Sequence, residues 1–578
     1  MKNWTLAPVC RALIAINFIV FAAAAPVPSV ADTNLPAMGE GAEITTSEER
    51  RLGDDIARAI YRDPQFLEDA ILYEYVNDIW LELMAAAKQR GTLTPELQER
   101  FAWQVMLIQD ATVNAFALPG GFMGVQTGLI GVVGSRDELA SVMAHELSHV
   151  TQRHIARMMA QQKRMTPVMI AGMLLGALAV SKNPAAAQAL MVGGTAVAAQ
   201  TQLNFSRDME READRTGMGL MQPAGYSQAG FVSMFERLQQ ANRMNDNGSW
   251  PYLRTHPLTI ERIADMQARL PAKAVLKAQD SGAVALMMSA RAKVLSKPES
   301  NVLNDWLAST RAPEFANKTP AQQAAGWYLA AMSAHQLGRA EQAQEALTQL
   351  DAMVKNNPAA LRQAQLLRAD IALGSRQPQQ ALSALAVIAP AKAEAKSVAT
   401  ATTVSNAMTG LVNEAVISQG ADKSLSISDR GDAPTLPTVT VQDHSAAVAG
   451  QAADRPELLL RAQALALLSG SALAAEADVL RSTANRLQTL LANTPKDVGG
   501  WQALATVFRL QNQPLRAIRA EAEARAAQYD YQAAVDRLRA GQDMARSSTQ
   551  RADYYEASII DTRLREMQSL AKEQAARQ

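Results

Sequence analysis

The sequence predicts a mainly α chain in two parts: a catalytic part with a small β-hairpin, then an α-solenoid. Three observations predict this. Ala-rich stretches, periodic Leu and Ala and only 5% aromatic residues favour helices over sheets. A His-Glu-Leu-Ser-His run at 145–149 lies in a segment with helical apolar spacing (Leu139, Val142, Met143). Beyond about Leu270, helix pairs recur with a common spacing. At 578 residues the chain is too long for one core.

The first segment, 1–31, reads as a secretory leader. Lys2 and Arg11 precede an apolar stretch from Ala12 to Ala25, and Ser29-Val30-Ala31 offers small residues before Asp32. That stretch is short for a spanning helix of ~20 residues, so cleavage after Ala31 is the expectation. Cys10 is the only cysteine, and a mature chain without it has no disulfide, which suits a bacterial periplasm. Lys plus Arg and Asp plus Glu both total 56, so charge gives no case for a nucleic-acid partner.

A catalytic part is expected over 44–270. Two amphipathic helices run from about Thr46 to Leu83. Next, Thr112 to Gly128 reads as a hairpin turning at Pro119-Gly120-Gly121. Its edge, at Asn114, Ala115 and Phe116, is the expected place for an extended peptide to pair through its main chain.

The 145–149 run follows. Residues four apart share a helix face, so His145 and His149 can hold one metal ion, with Glu146 beside them as general base. This is the zincin arrangement. His154 lies nine positions after His145. On a continuous helix at ~100° per residue it falls on the far side, so it is rejected as a ligand and expected in a polar or solvent-facing role. Pro167 to Val180, and the Ala-rich stretch from there to Ala199, suggest helices buried over the catalytic helix, or a hairpin meeting a membrane surface.

A catalytic zinc needs a third protein ligand. Phe205 to Gly217 is acidic and helix-prone. In it Glu210 and Asp214 share a face while Glu212 points away. One carboxylate can bind the metal, and the other can accept a hydrogen bond from a ligating histidine.

Helical repeats are expected over 271–390 and 456–578. Trp327 to Leu347 has tetratricopeptide-like spacing, with Gly338 closing one helix and Ala343 and Leu347 lining the next. Leu366 to Pro390 and Trp501 to Leu538 repeat it more weakly. A solenoid unit contacts its neighbours locally, so the catalytic part is expected to survive truncation near residue 270. Between them, 391–455 is rich in Ala, Ser, Thr, Val and Asp, lacks Phe, Trp and Tyr, and reads as a flexible insertion.

HELSH, then SRxxExxAD, with NAFALPGG ahead, resembles the HtpX-like and prenyl-protease-like zinc metallopeptidases with a His-His-Glu site. The resemblance implies one Zn²⁺ per chain held by His145, His149 and Glu210, with Asp214 behind a ligand. The leader and repeats resemble the periplasmic branch of that family. This implies a protease and chaperone acting on unfolded or misassembled outer-membrane proteins, with repeats that dock on the β-barrel assembly machinery. Tyr252-Leu-Arg-Thr-His-Pro-Leu258 matches the family as well. Its His256 has two open roles: stabilising the oxyanion, with or without Arg254, or filling the open zinc position at rest. The competing class is a non-proteolytic chaperone or scaffold. Glu146 argues against it, because a structural zinc site needs no general base.

Overall fold

The computed structural model describes residues 44–161, 207–243, 250–270, 282–388, 454–546 and 551–576. The leader, the apolar stretches at 167–199 and residues 391–453 lie outside them.

Helix α1 (Thr46–Arg62) opens on a capping box in which Thr45 and Glu48 exchange backbone and side-chain hydrogen bonds. Helix α2 (Ala70–Gln89) is capped by Asp69 and buries Ile71, Leu72, Val76, Ile79, Trp80 and Leu83. A short α3 (Pro95–Arg100) leads into the sheet.

The expected hairpin is present. Strands β2 (Ala115–Leu118) and β3 (Phe122–Gln126) pair antiparallel, with Ala115 opposite Val125 and Leu118 opposite Phe122. Gly120 and Gly121 turn the chain at φ of 73° and 86°, where a side chain is strained. A third strand, β1 (Gln104–Ile108), runs parallel to β3, so β3 is central and β2 is an edge. The sequence reading did not find β1, a five-residue run with one face in each of two cores.

Helix α4 (Thr127–Val132) precedes α5 (Arg136–Thr151). Ser135 caps α5, and Asp137 and Glu138 lie in its first turn, where the helix dipole favours acids. From Glu138 to Thr151 every residue of α5 is buried. Helix α6 (His154–Gln161) follows after a break. Helix α7 (Arg207–Met221) crosses α5 at Gly217, where a Cβ would come within 3.0 Å of the Ala144 backbone. Helices α8 (Ala229–Arg243), α9 (Tyr252–Thr255) and α10 (Ile260–Arg269) complete this half.

Helical pairs follow: α11 (Ala283–Leu295), α12 (Ser300–Ser309), α13 (Pro320–Gln336), α14 (Ala340–Val354), α15 (Pro358–Gly374) and α16 (Pro378–Val387). After the undescribed stretch, α17 (Arg455–Ala466) begins at Arg455. The chain continues through α18 (Gly470–Ala475), α19 (Ala477–Asn493), α20 (Val498–Leu510), α21 (Pro514–Ala527), α22 (Tyr531–Arg546) and α23 (Arg551–Ala575).

These helices do not contact only their neighbours. One continuous core joins α2, the sheet, α5 and α8 to α11, α13, α15 and α16. A second joins Ile56, Phe122, Ile155 and Met159 to Tyr529, Leu538, Ile560 and Leu564. Buried ion pairs reinforce the contact. Arg291 binds Asp69 and Asp370 at 2.6 and 2.7 Å, and Arg362 binds Glu74 and Glu457 at 2.6 and 2.7 Å. The expectation that a chain ending near residue 270 keeps its core is therefore corrected. Local contacts dominate an open solenoid, whereas here both ends of the repeat array bury apolar surface of the catalytic half.

Candidate active site

Helix α5 presents His145 and His149 on one face, as their spacing dictates, and their Nε2 atoms lie 3.0 Å apart. Helix α7 brings Glu210 to the same point, with Oε2 3.5 Å from His145 Nε2 and Oε1 3.5 Å from His149 Nε2. His256, at the end of α9, is the fourth member. Its Nδ1 lies 3.3 Å from His145 Nε2 and 3.0 Å from Glu210 Oε1. All four side chains are buried, and their ligand atoms lie within 4.8 Å of one another.

This donor set fits a metal ion. A tetrahedral ion with bonds of ~2.0–2.1 Å has ligand atoms about 3.3–3.4 Å apart, and five of the contacts among these residues run from 3.0 to 3.5 Å, with one ligand atom from each of the four within 4.8 Å of the rest. Three imidazole nitrogens and a carboxylate suit such an ion, and without one they would be a costly set of polar atoms to bury.

Glu146 lies against the cluster without joining it. Its Oε2 accepts the backbone N–H of Ala117 on β2 at 2.9 Å, and its Oε1 lies 3.4 Å from His256 Nε2. His256 thus has one ring nitrogen among the ligand atoms and the other toward the base. Its ring stacks on Tyr252 at 4.7 Å.

Asp214 stands behind His145, with Oδ1 2.9 Å from Nδ1. Burial opposes charge on His145, but the hydrogen bonds and charges of Asp214 and Glu210 outweigh it and push its pKa up to about 9. The same carboxylates are held low. Burial would raise Asp214, and the hydrogen bonds of Arg262 and His145 overcome it.

Arg262 was not found by sequence reading. From α10 it makes a two-pronged bond to Asp214 at 2.7 and 2.8 Å, and its Nη1 lies 2.7 Å from Glu210 Oε2. Arg254, the optional partner of His256 in stabilising an oxyanion, is exposed. The signal for Arg262 is weak in sequence, a basic residue on an amphipathic helix, and only the packing of α10 on α7 brings it inside.

His154 stands outside the ligand group and makes a polar contact, as expected, but not on the far side of α5 where a continuous helix would put it. The helix does not continue past Thr151. Arg153 adopts φ of 52°, which folds His154 back under His149, and their Nδ1 atoms are 2.8 Å apart. His154 is fully buried, not solvent-facing. Its Nε2 lies 3.2 Å from Glu212 Oε2, which also accepts from Arg157 at 2.9 Å. Glu212 points away from the ligand cluster, as its spacing predicts. Burial, only partly offset by Glu212, holds the His154 pKa down at about 4, so the ring is neutral at pH 7.

The residues expected to bind substrate lie on or beside the edge strand. Gln126 donates its N–H to the Asn114 carbonyl, so Asn114 and Phe116 turn their main-chain groups toward β3. Ala115 and Ala117 turn theirs outward. The Phe116 ring lies over Gly124, where a Cβ would come within 2.1 Å of it.

Residues 74–270 match the model of peptidase family M48. Over 362 residues the chain is 31% identical to the β-barrel assembly-enhancing protease of Escherichia coli K12, covering 62% of this chain and 70% of that protein. Over 344 residues it is 32% identical to a Vibrio cholerae protein provisionally given the same name, covering 58% and 67%. It is also 26% identical over 201 residues to the mitochondrial metalloendopeptidase OMA1 of Saccharomyces cerevisiae, covering 34% and 55%.

Proposed function

The chain belongs to peptidase family M48, with the β-barrel assembly-enhancing proteases, and from that premise we propose that it is a zinc endopeptidase of the periplasm acting on unfolded or misassembled outer-membrane proteins. As an M48 peptidase it is a metal-dependent hydrolase. Zinc is the ion that three nitrogens and a carboxylate at these separations favour. The names of its relatives support the substrate class. Among the described residues no helix is long and apolar enough to cross a membrane. Docking of the repeats on the assembly machinery, chaperone activity and contact of 167–199 with a membrane surface belong to the same proposal.

His145, His149 and Glu210 would hold the ion, which supplies Lewis acidity and lowers the pKa of a bound water toward ~7. Glu146 takes the proton of the attacking water and delivers it to the leaving amine. Ala115 and Ala117 pair the substrate main chain along the edge of β2. Asp214 fixes the tautomer of His145, and Arg262 holds Asp214 and Glu210 in place.

His256 is read as a gate. Its Nδ1 stands among the ligand atoms, where the water and substrate oxygen need room. A substrate that displaces the ring toward solvent opens that position. The alternative, an oxyanion stabiliser, requires the ring to stay close after opening.

The observation that carries the reading is Glu146, a buried carboxylate beside a ligand cluster it does not belong to. The test is metal-dependent cleavage of an unfolded outer-membrane barrel protein by the full chain, compared with Glu146→Gln. Cleavage that survives a chelator, or equal cleavage by the variant, would overturn it.

A further inference from the structure

We infer that His154 is a positioning residue for the metal ligand His149, and that Glu212 and the turn at Arg153 hold it in that role. The inference deepens the metallopeptidase reading and rests on it.

The tautomers follow from the distances. His149 points Nε2 at the ligand cluster, 3.0 Å from His145 Nε2. An imidazole that ligates through Nε2 carries its proton on Nδ1. That proton points at His154 Nδ1, 2.8 Å away, which must accept it. His154 then carries its own proton on Nε2, facing Glu212 Oε2 at 3.2 Å. The direction is set at the far end by Glu212, whose Oε2 accepts from Arg157 at 2.9 Å and so faces His154 as an acceptor. Each of the two α5 ligands thus has its own orienting partner: Asp214 for His145, and His154 for His149.

The placement is built at some conformational cost. Arg153 holds φ of 52°, a left-handed conformation that a non-glycine residue seldom adopts. Its side chain bonds the buried Glu49 of α1 at 2.9 Å and the Ile44 carbonyl at 2.6 Å. Had the helix run on through this point, His154 would face away from His149. The contact also ties together the two helices that supply ligands, since His154 follows α5 and Glu212 lies two residues from Glu210 on α7.

The experiment measures zinc affinity by competition with a chromogenic chelator, together with kcat and KM on a peptide substrate, for the full chain. His154→Phe keeps the ring's bulk and removes the acceptor. His154→Asn places an acceptor oxygen where Nδ1 stood. We expect His154→Phe to weaken zinc binding by ~10–100-fold, to lower kcat and to leave KM little changed, and His154→Asn to recover most of the affinity. Glu212→Ala should shift affinity in the same direction by less, and Glu212→Gln, which still accepts from Nε2–H, should not. Should His154→Phe fail to fold, His154→Asn and the Glu212 pair carry the test. Affinity for zinc unchanged in His154→Phe, or a loss in His154→Asn as large as in His154→Phe, overturns the positioning role. An unmodified chain that binds no zinc overturns the metallopeptidase reading as well.

Discussion

Ala117 donates its backbone N–H to Glu146 Oε2 at 2.9 Å, so the edge of the sheet holds the carboxylate proposed as general base. The same N–H lies on the side of β2 away from β3, where the proposed pairing with an extended peptide would run. A peptide that paired with Ala117 would have to take this donor from Glu146.

Replacing Glu146 by Gln should leave fold and metal content intact, because the amide oxygen still accepts from Ala117. It should lower kcat by ~10²–10⁴-fold, since the amide takes no proton from water. Metal analysis with a peptidase assay checks this, and cleavage near the native rate would remove Glu146 from the mechanism.

His256→Ala should raise basal cleavage or self-cleavage, because the nitrogen 3.3 Å from His145 Nε2 is removed while the other ligands stay. A time course of the purified chain shows it on a gel. Should activity fall and zinc content hold, the ring stabilises the transition state and does not act as a gate.

Asp214→Leu should weaken metal binding by ~10–100-fold, for it removes the acceptor of His145 Nδ1–H and leaves Arg262 with Glu210 and the Pro257 carbonyl. Asp214→Asn, which keeps an acceptor, should lose less. Chelator competition ranks the two, and the opposite order would show that the charge on Asp214 matters more than its hydrogen bond to His145.

A chain ending at residue 270 should be insoluble or melt well below the full protein. It would expose the apolar faces of α2 and α4 and strip Asp69 and Glu74 of their arginines. Leaving a buried charge unpaired costs ~3–5 kcal/mol. A soluble fragment melting with the full chain would show that the repeats dock weakly.

The sequence by itself determined the parts of the site that depend on local geometry. A spacing of four places two histidines on one face of any helix, so His145, His149 and the neighbouring Glu146 were legible without coordinates, as was the turn at Gly120-Gly121. The acidic helix narrowed the third ligand to a face shared by Glu210 and Asp214, and resemblance to a known family chose between them. Tertiary structure alone decided what came from elsewhere in the chain. Arg262 reaches Asp214 across 48 positions, and no periodicity encodes that contact. His154 was misplaced because one backbone angle at Arg153 reverses the direction of every residue after it, and that angle is held by Glu49, 104 positions earlier. The repeats were legible as helices but not as part of the catalytic core, because an apolar helix face does not say which surface it covers.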